Sequence, residues 1–240
     1  MAGPLEQFEV EPIVPIQVGT LDLSFTNASL WMVISVVLIT GMLTVCMRGR
    51  ALVPTRMQSL AEMFYEVIAN MIRDSVGNDG RKYFPFVFSL FMFILFGNLL
   101  GMIPGSFTYT SHIIVTFGLA AVVFIGVTVI GLVRHKARFF TLFFPHGAPV
   151  WTAIILVPIE LISYLSRPIS LSVRLFANMT VGHLMLKVIA GFVAAMGVFG
   201  ILPIAGLVAV TALEFLIAAI QAYVFAILTC IYLHDALHLH

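Results

Sequence analysis

The stretch SRPISLSVRLFANM, Ser166 to Met179, sets two arginines among Leu, Ile, Val, Ser and Phe. Its surroundings are just as apolar: from Val150 to the C-terminus the apolar character is nearly continuous, with one obvious hinge near MGVFGILPIAG, Met196 to Gly206. The chain has 240 residues, 61% hydrophobic and 10% charged, with a mean hydropathy of +1.10. A soluble domain of this length needs a far more charged surface, so the class is an all-α polytopic membrane protein. A helix from Val150 to Met196 would be ~70 Å long, over twice the hydrocarbon thickness. It is either two spans or one long, steeply tilted helix, and Pro158 and Pro168 fit both.

Upstream, the expected organisation is an N-terminal segment over 1–29, a first span over 30–47, an amphipathic helix over 56–76, and spans over 84–103 and 113–133. Ser24, Thr26, Asn27 and Ser29 are candidate caps for the first span, and Asn27-Ala28-Ser29, which also matches a glycosylation acceptor, is read as helix entry. In 56–76, Met57, Leu60, Met63, Phe64, Val67, Ile68, Met71 and Ile72 recur at helical steps, with charged residues largely between them. Such a helix lies in the interface or against other helices. Tyr83 to Val133 contains no Asp, Glu, Lys or Arg and is divided by IPGSFTYTSH. Gly97, Gly101 and Gly105 recur every fourth residue, the spacing that lets helices approach closely. Cys46 and Cys230 fit no metal or redox spacing and read as buried free thiols.

Orientation follows from the basic residues. All nine Lys and Arg before Val150 lie after the first span, in the amphipathic region and its turn, or after the third span. The N-terminus, with three glutamates, and the GSFTYTS turn have none. The positive-inside rule therefore puts the N-terminus outside and the basic loops in the cytoplasm. Read as a loop, SRPISLSVR would put two arginines on the wrong side; read as an intramembrane helix, it raises no conflict. The N-terminus does not read as a signal peptide, and the net charge of +1 says nothing of nucleic acid.

On that helix Glu160, Ser163, Arg167, Ser170, Arg174 and Asn178 follow at steps of three or four and form one polar stripe. His183 falls ~180° from Arg174 and points elsewhere. In the last segment Glu214, Gln221 and Asp235 share a face. Some of these residues have plain structural readings. Arg167 near a helix entrance is expected to snorkel to headgroups, and Ser163 and Ser170 to bond the preceding turn or pack between helices. Ionisable groups at mid-bilayer cost ~2.5–3.5 kcal/mol each and mark ion or proton pathways. Arginine keeps its proton, so Arg174 is no relay; it is a fixed charge that keeps a carboxylate ionised. His183, Glu214 and Glu160 can titrate, with a titratable group on each side of a permanent cation. In YLHDALHLH, His234 and His238 lie one turn apart, two ligands that do not complete a metal site; the tail, 235–240, reads as a solvated cytoplasmic end.

The strings PISLSVRLFANMTVGHL and EFLIAAIQAYVFAILTCIYL, in this order of apolar segments, resemble subunit a of F-type ATP synthases over nearly the whole chain. The resemblance implies two long, tilted C-terminal helices, 150–196 and 204–234, clasping a rotating ring of c subunits. It implies Arg174 as the essential arginine facing the ring carboxylate, with Asn178 and Gln221 as its polar neighbours. Glu160 is then the acid of the cytoplasmic half-channel, and His183 and Glu214 are the pair of the outer one, in an order similar to mitochondrial and alphaproteobacterial members. It further implies peripheral stalk b subunits, membership of the F1Fo complex, a bacterial inner membrane, protons as the only small substrate, no cofactor and no catalysis by this chain alone. A secondary transporter is the rival class, but no internal repeat or matched broken segments are seen. Hydrolase and nucleotide motifs are missing from the sequence as well.

Overall fold

The computed structural model describes residues 10–15, 17–18, 21–22, 24–49, 54–103, 106–136, 139, 153–196 and 201–238. Gly105, most of the basic loop after the third span, Val150 and the centre of the 196–206 hinge lie outside the described residues. The fold is all-α apart from two small antiparallel ladders that precede the first helix. In these β1 (Pro12–Val14) pairs with β4 (Phe25–Thr26), and β2 (Gln17–Val18) with β3 (Leu21–Asp22). Nothing in the period of these residues announces strands, which are only two or three residues long.

Helix α1 (Asn27–Cys46) begins earlier than Leu30, because the Thr26 hydroxyl accepts from the Ser29 N–H and caps the first turn. Helix α2 (Arg56–Val76) is capped the same way by Thr55 and ends at Gly77, whose φ of 79° lies in the region only glycine enters at no cost. A 3-10 turn, Asn78–Tyr83, leads directly into α3 (Phe84–Gly101). Helix α4 (Ile113–His135) follows, then α5 (Ala153–Met196, 44 residues) and α6 (Ile201–Leu237, 37 residues). The choice left open by length is thereby made: α5 is a single helix of ~66 Å that runs through Pro158 and Pro168. Among the described residues five helices, α1 and α3 to α6, are long and apolar enough to cross a membrane.

Helix α6 is the hub, with α2, α3, α4 and α5 all packed on it. Its small buried residues Ala218, Ala222 and Ala226 bring the neighbouring backbones close, and Phe225 fills the space between them. Against this seam sit Ile68 and Ile72 of α2, Met92 and Ile94 of α3, Val123 of α4, and Leu171 and Leu175 of α5. Helix α2 thus rests on the bundle with Ile68, Met71, Ile72 and Val76, while Met57, Leu60, Met63 and Val67 stay exposed. Both cysteines are buried free thiols.

Two expectations are corrected here. Gly97 and Gly101 do not admit a helix; a Cβ at either would meet the side chains of Tyr109 and Thr108, which fold back from the α3–α4 connection. Tyr109 Oη donates to the Phe93 carbonyl at 3.0 Å and Thr108 Oγ1 to that of Gly101 at 3.1 Å. Nor does the chain become a solvated tail at residue 235. Helix α6 continues to Leu237, Ala236 and Leu237 are buried, and His135 Nε2 lies 3.1 Å from the Leu237 carbonyl.

Candidate functional site

The polar stripe of α5 runs along the side of the helix turned away from the core, which is the side carrying Leu171, Ser172, Leu175 and Met179. At helical spacing, Ser163, Ser170, Arg174 and Asn178 are exposed on one face. That face continues as exposed Val181, Met185, Val188 and Phe192. Arg174 makes no ion pair or hydrogen bond among the described residues. A permanent cation therefore stands on a membrane-length surface of uncharged side chains that no part of the described chain covers.

One turn beyond Arg174, the Asn178 Nδ2 donates to Gln221 Oε1 at 2.8 Å and ties α5 to α6 beside the arginine. The buried Gln221 amide nitrogen has no partner among the described residues. A further turn along, Asn178, Met179 and His183 of α5, Glu214 and Ile217 of α6, and Met102 line a small cavity. Glu214 is 7% exposed, and neither carboxylate oxygen has a hydrogen-bond partner in the described chain. It fits against α5 because Gly182 has no side chain; a Cβ there would overlap the carboxylate. Burying a polar group unpaired is costly, so this is a place built to meet a proton or water.

His183 points to the opposite side of α5 from Arg174, toward the α3–α4 connection, where its Nε2 lies 3.2 Å from Thr108 Oγ1. The same connection is held to α5 by Thr180 Oγ1, which donates to the Ser111 carbonyl at 3.2 Å. Near it, Thr110 Oγ1 and His112 Nε2 are also buried without a partner among the described residues. His112 stacks on Phe107 at 5.0 Å, and burial lowers its pKa below the usual imidazole value. No helical period in the sequence marks Thr108, Thr110 or His112 as site residues. The available signal was their polarity, in a turn that interrupts some fifty uncharged residues.

At the other end of the stripe Arg167 does not snorkel. Its guanidinium pairs with Asp235 at 3.0 Å and lies over the rings of Tyr164 and Tyr232, 5.3 and 5.1 Å from their centroids. A partner was within reach on α6, and a half-buried guanidinium gains more from a carboxylate and two ring faces than from headgroups. Ser163 and Ser170 make no hydrogen bond to the preceding turn; Ser166 does, donating to the Ser163 carbonyl at 2.7 Å. Glu160 is half-buried a further two turns from Arg167, apart from the cavity of His183 and Glu214. His234 and His238 stack at 4.7 Å, and among the described residues no three metal-ligating side chains gather.

These features define a polytopic helical membrane protein in which the charged side chains set within long apolar segments lie on its two longest helices. The family model described as ATP synthase A chain matches residues 29–234, and the chain belongs to that family. It is 64% identical to ATP synthase subunit a of Paramagnetospirillum magneticum over 247 residues, covering 100% of both chains. It is 60% identical to that of Rhodospirillum rubrum over 241 residues, again covering 100% of both. With that of Parvibaculum lavamentivorans the identity is 61% over 242 residues, 98% of this chain and 93% of the relative. Membership makes this a multi-pass proton-translocating component of the ATP synthase membrane sector.

Proposed function

We propose that this chain is the stator of a rotary proton motor, with Arg174 as the fixed charge between two half-channels. The observation that carries the reading is the unpaired Arg174, the one charge on an uncovered face of small polar and apolar side chains among the described residues. A ring of helices, each bearing one carboxylate, supplies what that face lacks: apolar cover, and an anion that meets the guanidinium in passing. His183, Glu214 and the cavity between them line the outer half-channel, and Glu160 the inner one. A carboxylate arriving from one side sheds its proton to a half-channel, because the guanidinium favours its charged form. On leaving, it is reprotonated from the other. Each proton contributes about 2.3 kcal/mol per 100 mV to turning the ring. Asn178 and Gln221 hold α5 and α6 in register beside the arginine. The N-terminus faces outward across a bacterial inner membrane, and peripheral stalk b subunits keep the chain from turning with the ring. Alone, the chain catalyses nothing.

Cysteine cross-linking tests the docking face. Ser170 is exposed on the Arg174 face, whereas exposed Val122 lies on α4. With the two native thiols buried, Ser170→Cys should form a disulfide with a cysteine placed beside the ring carboxylate, and Val122→Cys should not. Equal yields from both would sink the assignment of this face.

Thr108 is a positioning residue in this reading, because its hydroxyl sets which ring nitrogen of His183 carries the proton. A hydrogen bond is worth ~0.5–1.5 kcal/mol net. Thr108→Val should therefore slow ATP-driven pumping roughly 2- to 10-fold and shift its pH profile, with Thr108→Ser restoring both. A slower rate with an unmoved profile would mean that Thr108 only packs.

A further inference from the structure

A second polar feature lies away from the ion path, where α2, the 3-10 turn and the start of α3 enclose a cleft of about 550 Å³. It is lined by the polar side chains of Arg73, Asn78 and Arg81 together with Tyr65, Phe84 and Pro85. We propose that this cleft binds an anionic phospholipid, with the two guanidinium groups holding its phosphate.

Charge comes first. Neither Arg73 nor Arg81 makes an ion pair among the described residues. The acid nearest in sequence to Arg81, Asp79, is already committed to Arg134 of α4, whose guanidinium holds its carboxyl below the usual carboxylate range. Glu62 on α2 accepts from Gln58 at 2.8 Å, and Glu66 lies two turns back from Arg73 without pairing to it. Two exposed guanidinium groups, planar forks suited to two phosphate oxygens, are thus left facing one cleft.

Depth and shape then select a lipid over a free anion. Helix α2 is amphipathic and lies against the bundle, and α3 begins its membrane span at the cleft itself. The cleft therefore sits where headgroups sit. From it a ladder of rings leads along α3: Tyr65 and Phe84 are 4.7 Å apart, Phe84 and Phe88 5.4 Å apart and stacked. Inorganic phosphate would use the arginines and leave this apolar wall unused. A phospholipid uses both, its phosphate on the guanidinium groups and an acyl chain on the rings. Basic pockets at membrane surfaces attract anionic headgroups in this way.

The test uses the assembled complex in detergent. Phosphatidylglycerol is titrated in, retained lipid is counted by native mass spectrometry, and phosphatidylcholine and inorganic phosphate serve as separate arms. Wild type should retain at least one phosphatidylglycerol that R73Q/R81Q loses, with affinity lowered roughly 5-fold per arginine. Arg48→Gln, an exposed basic change elsewhere, should leave retention unaltered. R73K/R81K keeps the charge without the fork; it should assemble normally and bind with intermediate affinity. Equal retention by wild type and R73Q/R81Q overturns the site. So does equal binding of phosphatidylcholine, displacement of the lipid by millimolar inorganic phosphate, or loss of a stalk subunit from R73Q/R81Q in place of lipid. Because Arg174 and the half-channel residues are untouched, failure here leaves the rotary reading standing.

Discussion

Arg174→Ala should abolish ATP-driven proton pumping by the assembled complex and leave its membrane sector passively leaky. Both losses follow from one change. With the guanidinium gone, nothing beside Asn178 and Gln221 favours the ionised ring carboxylate, so it keeps its proton as it passes, and rotation no longer exchanges protons between sides. The barrier disappears as well. A protonated carboxylate crosses between the half-channels without meeting a fixed positive charge, and protons run down their gradient with no ATP made or used. Arg174→Lys separates charge from geometry. Lysine supplies a cation but also a proton that burial can displace, so coupling should fall even where assembly is normal. The readouts are quenching of a pH-sensitive dye during ATP hydrolysis and the passive proton permeability of vesicles stripped of the catalytic sector. Normal pumping with normal coupling in Arg174→Ala would make the residue structural, and its exposed, unpaired position would need another account.

Much of this arrangement was legible in the sequence because a helix has a fixed period. The stripe from Ser163 to Asn178 and the turning-away of His183 both follow from ~100° per residue, and so does the shared face of Glu214 and Gln221. Contacts between distant segments have no such period. Arg167 and Asp235 sit on different helices, and only the crossing of α5 with α6 brings them together. Thr108 reaches His183 because the α3–α4 connection folds back, and that fold depends on Gly97 and Gly101 leaving room for Tyr109 and Thr108. The glycine spacing is visible in the sequence; what fills the space is not. The same limit applies to α2, whose apolar residues are all plain in the sequence although only Ile68, Met71, Ile72 and Val76 among the helix's larger apolar side chains are fully buried.

Glu214 is where the buried geometry makes its sharpest demand. Its carboxylate is enclosed beside Gly182 with both oxygens unpartnered, in a cavity shared with His183. A merely structural carboxylate would be hydrogen-bonded there, since leaving one bare costs more than an apolar residue of the same size. Glu214→Gln keeps the shape and removes the titration. It should assemble with the ring yet slow pumping and synthesis by roughly 10²-fold or more, the scale on which a positioned acid–base group contributes. Passive leak should not rise, because Arg174 is intact. Glu214→Asp keeps the acid on a shorter stem and should recover part of the rate. Gly182→Ala reaches the same carboxylate from the other helix. Its added methyl displaces Glu214 without altering any titratable group, so the rate should fall while the chemistry of the pair is unchanged. Assembly is checked by co-purification of the ring, and rate by proton flux at matched complex content. Were Glu214→Gln to pump at the wild-type rate, protons would reach the ring by a route that avoids the His183–Glu214 cavity, and the polar atoms of Thr110 and His112 would be the place to look for it.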